Sequence, residues 1–152
     1  MITKIETIEL PGFYVAGIKL RTTNQGGQSQ TDIGELWARF MSEDVLLQIP
    51  NRISDDIYSV YTEYESDHTG AYTAVLGCVV SSIPEGFTCI DIYPGKYHVN
   101  WVEGKLPDSI MEAWRQIWNN STDRKYTADF EVYSANAKSF EETEVKIYLA
   151  VN

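Results

Sequence analysis

The strongest constraint on this chain is that its second half repeats the plan of its first. PGFYVAGIK (Pro11 to Lys19) aligns with PGKYHVNWV (Pro94 to Val102), IGELWARF (Ile33 to Phe40) with IMEAWRQI (Ile110 to Ile117), and YTEY (Tyr61 to Tyr64) with FEVY (Phe130 to Tyr133). The offset between the halves shrinks steadily along the chain, as loops of unequal length would make it. Three paired elements in one order read as a duplication. The expected fold is α+β, one domain over 1–152 built of two β-β-α-β-β units, about 1–82 and 86–152. Each unit lays one main helix on an antiparallel sheet, and a ligand cleft forms where the two pseudo-symmetric halves meet.

Local patterns fill in this plan. Ile2 to Leu10 alternates apolar with polar, Pro11-Gly12 turns, and Phe13 to Leu20 is rich in aromatic and β-branched residues, so two strands are expected. After a polar loop over Thr22 to Gln30, Asp32 and Glu35 stand at capping-box spacing before a helix whose apolar residues are Ile33, Leu36, Trp37, Phe40 and Met41. Ile57 to Glu65 and Tyr72 to Val80 read as strands joined through His68-Thr69-Gly70. In the second half, strands are expected over Phe87 to Tyr93, Lys96 to Val102, Ala128 to Ser134 and Val145 to Val151. A helix capped by Asp108 and Ser109 precedes the last two. Trp37, Trp114 and Trp118 fall on the apolar helical faces and are expected in the core.

Composition excludes several functions. With 12 Lys+Arg against 22 Asp+Glu the formal charge is −10, which repels phosphate backbones; direct nucleic-acid binding is not expected. Basic partners and cationic small molecules are the favoured company. Cys78 and Cys89 are the only cysteines, with no CxxC and no Cys/His cluster, so no metal site or disulfide framework is expected and both thiols read as inert. A chain of 152 residues buries about 68–70% of its unfolded surface and needs neither. No phosphate loop or dinucleotide fingerprint is present, and no cofactor is expected. The N-terminus lacks a continuous apolar core, so a cytoplasmic protein without membrane contact is expected. The sequons in Asn119 to Thr122 carry no weight without a secretion signal, and Glu141-Glu142 reads as an ordinary acidic loop.

Strand parity then singles out one acid. Phe130 and Val132 share a face and are expected to floor the second helix, which leaves Asp129, Glu131 and Tyr133 on the opposite, open face. Val145, Ile147, Leu149 and Val151 likewise oppose Tyr148. In the first half, Tyr64 shares parity with Tyr58 and with Thr62, the counterpart of Glu131. The expectation is an aromatic-lined pocket holding one carboxylate, with Trp101 as a further wall or a core residue. Aromatic rings attract cations and the carboxylate supplies the countercharge. The alternative is a solvated glutamate on a sheet covered by tyrosines. His68 and His98 are expected at the surface.

The run PGFYVAGIK, LWARF, VYTEYESD with GAYTAVLGCVV, IYPGKYHV, IMEAWRQIW, DRKYTADFEVY and VKIYLAV resembles the GyrI-like effector-binding domains, found alone or fused to AraC-type and MerR-type transcription regulators. The likeness covers Ile2 to Val151. Its most specific part is Trp118, Arg124, Tyr126, Asp129, Phe130, Glu131 and Tyr133. The resemblance implies a duplicated fold, an aromatic cleft and binding of hydrophobic, often cationic compounds, with the central glutamate at Glu131 and the last-strand tyrosine at Tyr148. Both halves account for the chain, leaving no residues for a helix-turn-helix, so a sensor or sequestering role takes the place of direct transcriptional control. The ligand-binding candidates are therefore Glu131, Tyr148, Tyr133, Tyr64, Trp101 and Tyr58. Two alternatives stand beside binding: hydrolysis of strained electrophiles with Glu131 as general base, and a gyrase-inhibitor-like protein interaction through the acidic surface. No second catalytic group is evident, so binding is favoured over catalysis, while a homodimer and a protein partner stay open.

Overall fold

The computed structural model describes residues 2–120, 123–134 and 144–152. The loop expected over 135–142, with Glu141 and Glu142, and the sequon residues 121 and 122 lie outside them. The elements are β1 (Ile2–Leu10), β2 (Phe13–Thr23), a 3₁₀ turn (Gln25–Gly27), α1 (Gln28–Ser42), α2 (Val45–Gln48), β3 (Ile57–Thr62), β4 (Ala71–Val80), β5 (Thr88–Ile92), β6 (Gly95–Val102), α3 (Asp108–Asn120), β7 (Arg124–Tyr133) and β8 (Val145–Val151).

The expected strands are present, with shifted ends, but α1 begins before its expected cap. Gly26 and Gly27 take φ of 63° and 74°, a left-handed turn that glycine enters without strain, and this turns the chain into the helix at Gln28. Asp32 lies inside α1 and accepts hydrogen bonds from Thr22 Oγ1 at 2.9 Å and Gln28 Nε2 at 3.1 Å. Leu36 and Phe40 are buried, whereas Met41, near the helix end, stays exposed. No helix among the described residues is long and apolar enough to cross a membrane.

All eight strands form one antiparallel sheet in the order β1-β6-β8-β7-β3-β4-β2-β5, not two sheets. β1 does not pair with its neighbour in sequence. It pairs with β6, while β5 pairs with β2. The β1–β2 and β5–β6 connections therefore come together, with Gly12 against the Pro94 ring. Read from the opposite edge with each of β1 to β4 exchanged for its counterpart among β5 to β8, the order is unchanged.

Both faces of the sheet are packed. One face carries α1 and α3, whose Leu36, Phe40, Ala113, Trp114 and Ile117 cluster with Leu76, Ile147 and Leu149. On the other face, Leu10 and Ile92 from the edge strands pack in one cluster with Val60 and Phe130 from the centre. Edge and centre can meet without a covering helix only if the sheet curls around them, as a twisted sheet of this width does. Parity along β7 was correct, but the helices lie on the other side from that expected: Trp37 of α1 packs on Tyr133 and Trp114 of α3 bonds Glu131, while Phe130 and Val132 face the inside of the curl. Apolar alternation cannot separate the two sides here, because Phe130 and Glu131 are both almost wholly buried.

The curl has a pressure point where β2 meets β4. Gly17 stands opposite Gly77, and a Cβ would lie 2.0 Å from the Leu76 carbonyl oxygen at the first position and 1.9 Å from that of Ala16 at the second. Backbone, not a movable side chain, fills the space. Gly77→Ala is expected to destabilise the protein by about 1–3 kcal/mol, read as a lower urea midpoint at unchanged slope. An unaltered midpoint would mean that the strands part there at no cost.

Candidate functional site

α1, α3 and the sheet enclose a cavity of about 570 Å³, within the range of pockets that bury a drug-sized molecule. Trp37 comes from α1, Trp114 and Trp118 from α3, and Tyr61, Tyr64, Tyr72 and Tyr133 from the sheet and the segment after β3. These rings pack edge to face, Trp37 on Tyr133 at 4.9 Å and Tyr61 on Trp114 at 5.6 Å, so each limits the rotation of its neighbour. The three tryptophans expected in the core thus double as cavity wall. His68, expected at the surface, also lines the cavity and stacks on Trp118.

Glu131, 2% exposed, lines this cavity. Its Oε2 accepts from Tyr61 Oη at 2.9 Å and Trp114 Nε1 at 2.6 Å, and its Oε1 from Tyr133 Oη at 2.5 Å. Ser59 Oγ donates in turn to the Tyr61 hydroxyl oxygen. Burial pushes the Glu131 carboxyl above its usual range, while the donors from Tyr133, Trp114 and Tyr61 pull it down. Burial first, then the adjacent carboxylate, holds the Tyr61 and Tyr133 hydroxyls well above 10, so both remain O–H donors. Among the described residues no basic side chain forms an ion pair with Glu131.

Two residues back, Asp129 shows the contrast. It is equally buried, yet its carboxylate receives Arg124 Nη2 at 2.5 Å, Tyr64 Oη at 2.5 Å and the Ala150 N–H at 3.1 Å. Burial pushes this carboxyl up against the pull of those three groups. Arg124 is brought to it by an irregular register between Arg124 and Asp129, where Tyr126 takes φ of 58°. Buried charges are normally paired or neutralised. Among the described residues Asp129 has a cation and Glu131 has none.

Of the six candidates, the structure brings Glu131, Tyr133 and Tyr64 together. Tyr64 arrives by leaving the strand: β3 ends at Thr62, and Glu63 takes φ of 51°, so strand parity does not govern its direction. Tyr148 and Tyr58 lie on the opposite face of the sheet from Glu131, stacked on Phe130 with ring centroids 4.6 Å and 5.7 Å away. The register explains this, since Phe130 pairs with Tyr148 while Glu131 pairs with Ile147 and Ser59. Trp101 is also away from the cavity, under the ammonium groups of Lys4 at 4.8 Å and Lys146 at 5.4 Å. Tyr61, Trp114 and Arg124 were absent from the candidates. The alignment of YTEY on FEVY placed Tyr61 against Phe130, whereas Tyr61 shares its face with Asp129, and a one-residue slip in a strand reverses every side chain. Both thiols are free, and burial raises Cys78 to about 11 and lifts Cys89, consistent with inert residues.

A helix-covered antiparallel sheet enclosing an aromatic cavity defines a small-molecule-binding domain of the GyrI-like class. The chain belongs to the family of integron-associated effector-binding proteins, Cass2, whose family model matches residues 6–151. It is similar to the integron cassette protein VCH_CASS2 of Vibrio cholerae, at 30% identity and a TM-score of 0.75 over 99% of this chain and 97% of that one. It is 28% identical over 144 residues, 90% of each chain, to YobU of Bacillus subtilis strain 168, which is named provisionally as a transcriptional regulator. The fold is shared with SAV2435, solved bound to tetraphenylphosphonium, at 19% identity and a TM-score of 0.82 over 99% of this chain and 94% of that one.

Proposed function

We propose that this protein binds lipophilic organic cations in the cavity between α1 and α3, with ionised Glu131 as the countercharge and the surrounding tryptophan and tyrosine rings as walls. The observation that carries this reading is the pairing difference on β7: two buried acids on one face, of which, among the described residues, only Asp129 has its own cation. A ligand cation completes the second pair. The rings add attraction of roughly 0.5–2 kcal/mol each, depending on how far the cation is stripped of water. Tetraphenylphosphonium in SAV2435 is a ligand of this chemical type, which supports the class. Tyr64 contributes as a wall whose hydroxyl is spent on Asp129, and Tyr133 as both wall and donor to Glu131.

Three tryptophans line the cavity, so quenching of intrinsic fluorescence reports occupancy. Titration with tetraphenylphosphonium and with a neutral aromatic of the same size is expected to show saturable quenching by the first and at least tenfold weaker binding of the second. Equal affinity for the two would end the countercharge reading. Hydrolysis predicts a different result, loss of the ligand with time, which the same titration followed over hours reads directly.

A pH dependence follows from the burial of Glu131. In the empty cavity its carboxyl is raised, and a protonated carboxyl offers a cation no charge. Affinity for a permanent cation is therefore expected to be flat at high pH and to fall by up to tenfold per pH unit below the raised value. The proton released on binding is measurable by calorimetry in buffers of different ionisation enthalpy. A pH-independent affinity from pH 4 to 8 would contradict the assignment.

A further inference from the structure

The outer edge of β1 faces no strand among the described residues. Thr3 to Thr7 are exposed on both faces, with Ile5 61% exposed. An unpaired edge of this length offers free N–H and C=O groups to another strand. Its sequence chooses the partner. From Ile2 to Ile8 the strand reads ITKIETI, which is the same in both directions once lysine and glutamate are exchanged.

We propose that β1 is a self-complementary edge through which two copies of this chain join, extending the sheet about a two-fold axis that passes through Ile5. Such an axis, perpendicular to the sheet, keeps each side chain on its own face and makes the contact isologous. Centred on Ile5, it sets Lys4 against the partner's Glu6, Glu6 against the partner's Lys4, Thr3 against the partner's Thr7, and the exposed Ile5 against the partner's Ile5. Opposite charges placed directly across an antiparallel pair are favourable and like charges are not. Lys4 and Glu6 already form an ion pair at 2.8 Å within one chain, so the two copies together make a square of alternating sign. The other edge strand, β5, is five residues long with the sequence TCIDI, whose lone Asp91 can meet no lysine in a self-pairing.

The register irregularity between Ile2 and Lys4 restricts the regular ladder to the central residues, and a charge of −10 per chain opposes association. A single-strand contact is of the small, transient class. The dimer therefore belongs to concentrated protein. It does not depend on what occupies the cavity, because none of these side chains lines the aromatic site.

Sedimentation equilibrium at up to about 1 mM protein, where even a weak complex is populated, gives the test. The average mass of the unmodified chain is expected to rise towards the dimer with concentration. Lys4→Glu and Glu6→Lys are each expected to remain monomeric, because each places four like charges across the axis. Mixed in equal amounts, the two variants are expected to associate, and the double exchange Lys4→Glu/Glu6→Lys to dimerise as the original does. Both side chains are exposed, so an unchanged thermal midpoint serves as the control for folding. A monomer at every concentration, undiminished dimers in both single variants, or no association on mixing would each overturn the proposal.

Discussion

Glu131→Gln is expected to weaken binding of a lipophilic monocation about 30- to 1,000-fold, ~2–4 kcal/mol, the size of effect seen when one partner of a desolvated charge pair is removed. The substitution is close to isosteric. Its amide oxygen can accept from Trp114 Nε1 and Tyr61 Oη, and its amide N–H₂ can donate to the Tyr133 hydroxyl oxygen, whose own proton then gives up Oε1 as acceptor. A neutral aromatic ligand is accordingly expected to bind the variant as well as it binds the unmodified protein. Ligand-free stability is expected to move the other way. The folded carboxyl is raised above the unfolded value of 4.5, so between that value and the folded one the unfolded chain holds fewer protons. Stability of the unmodified protein therefore falls as pH rises through this window and then levels off. The glutamine variant lacks this loss, and its thermal midpoint is expected to exceed that of the unmodified chain at pH 8 by more than at pH 5. Equal cation affinity, or a midpoint gap that grows on acidification, would contradict the role given to Glu131.

Arg124→Met is the substitution expected to cost most in stability. It removes the cation from Asp129 while the carboxylate stays buried, a loss of about 3–5 kcal/mol, or roughly 6–20 °C in thermal midpoint for a chain of this size. Adding Asp129→Asn removes the stranded charge, and the double variant is expected to recover much of the loss. Groups in one ion-pair network do not act additively. If the two losses simply add in thermal melts, the pair is not coupled as the 2.5 Å contact implies.

How far the fold could be read in advance is instructive at particular residues. The helix around Leu36 and Phe40 and the alternation of β7 and β8 follow from side-chain period alone. The choice of face did not, because a sheet packed on both sides hides which side the helix takes, and Phe130 and Val132 gave no sign that they point into a curl. The exchange of β1 and β5 between halves was equally hidden, since Pro11-Gly12 and Pro94-Gly95 look like hairpin turns when read locally. Glu131, which lines the cavity, stood out in the sequence because one acid among tyrosines breaks the pattern of a plain surface. Tyr58 was set beside it by the same one-residue offset that concealed Tyr61, and Tyr148 because the apolar side of β8 was matched to the Phe130 side of β7, whereas Ile147 pairs with Glu131. Trp114 was hidden for another reason: its place in an apolar helical stripe fits the core, and nothing in the spacing reveals the hydrogen bond from its indole N–H.

The doubly packed sheet gives the two sides of the cavity different backing. Glu131 stands on β7, held by three donors on one face, with Phe130 packed into the cluster on the other. The half-buried rings of Trp37 and Trp118 stand on helices with solvent at their backs. Under the proposed binding role, charge selection would rest on the sheet and shape selection on the helices. Enlarging or trimming Trp37 or Trp118 is expected to change which cations are accepted, while the demand for a positive charge remains.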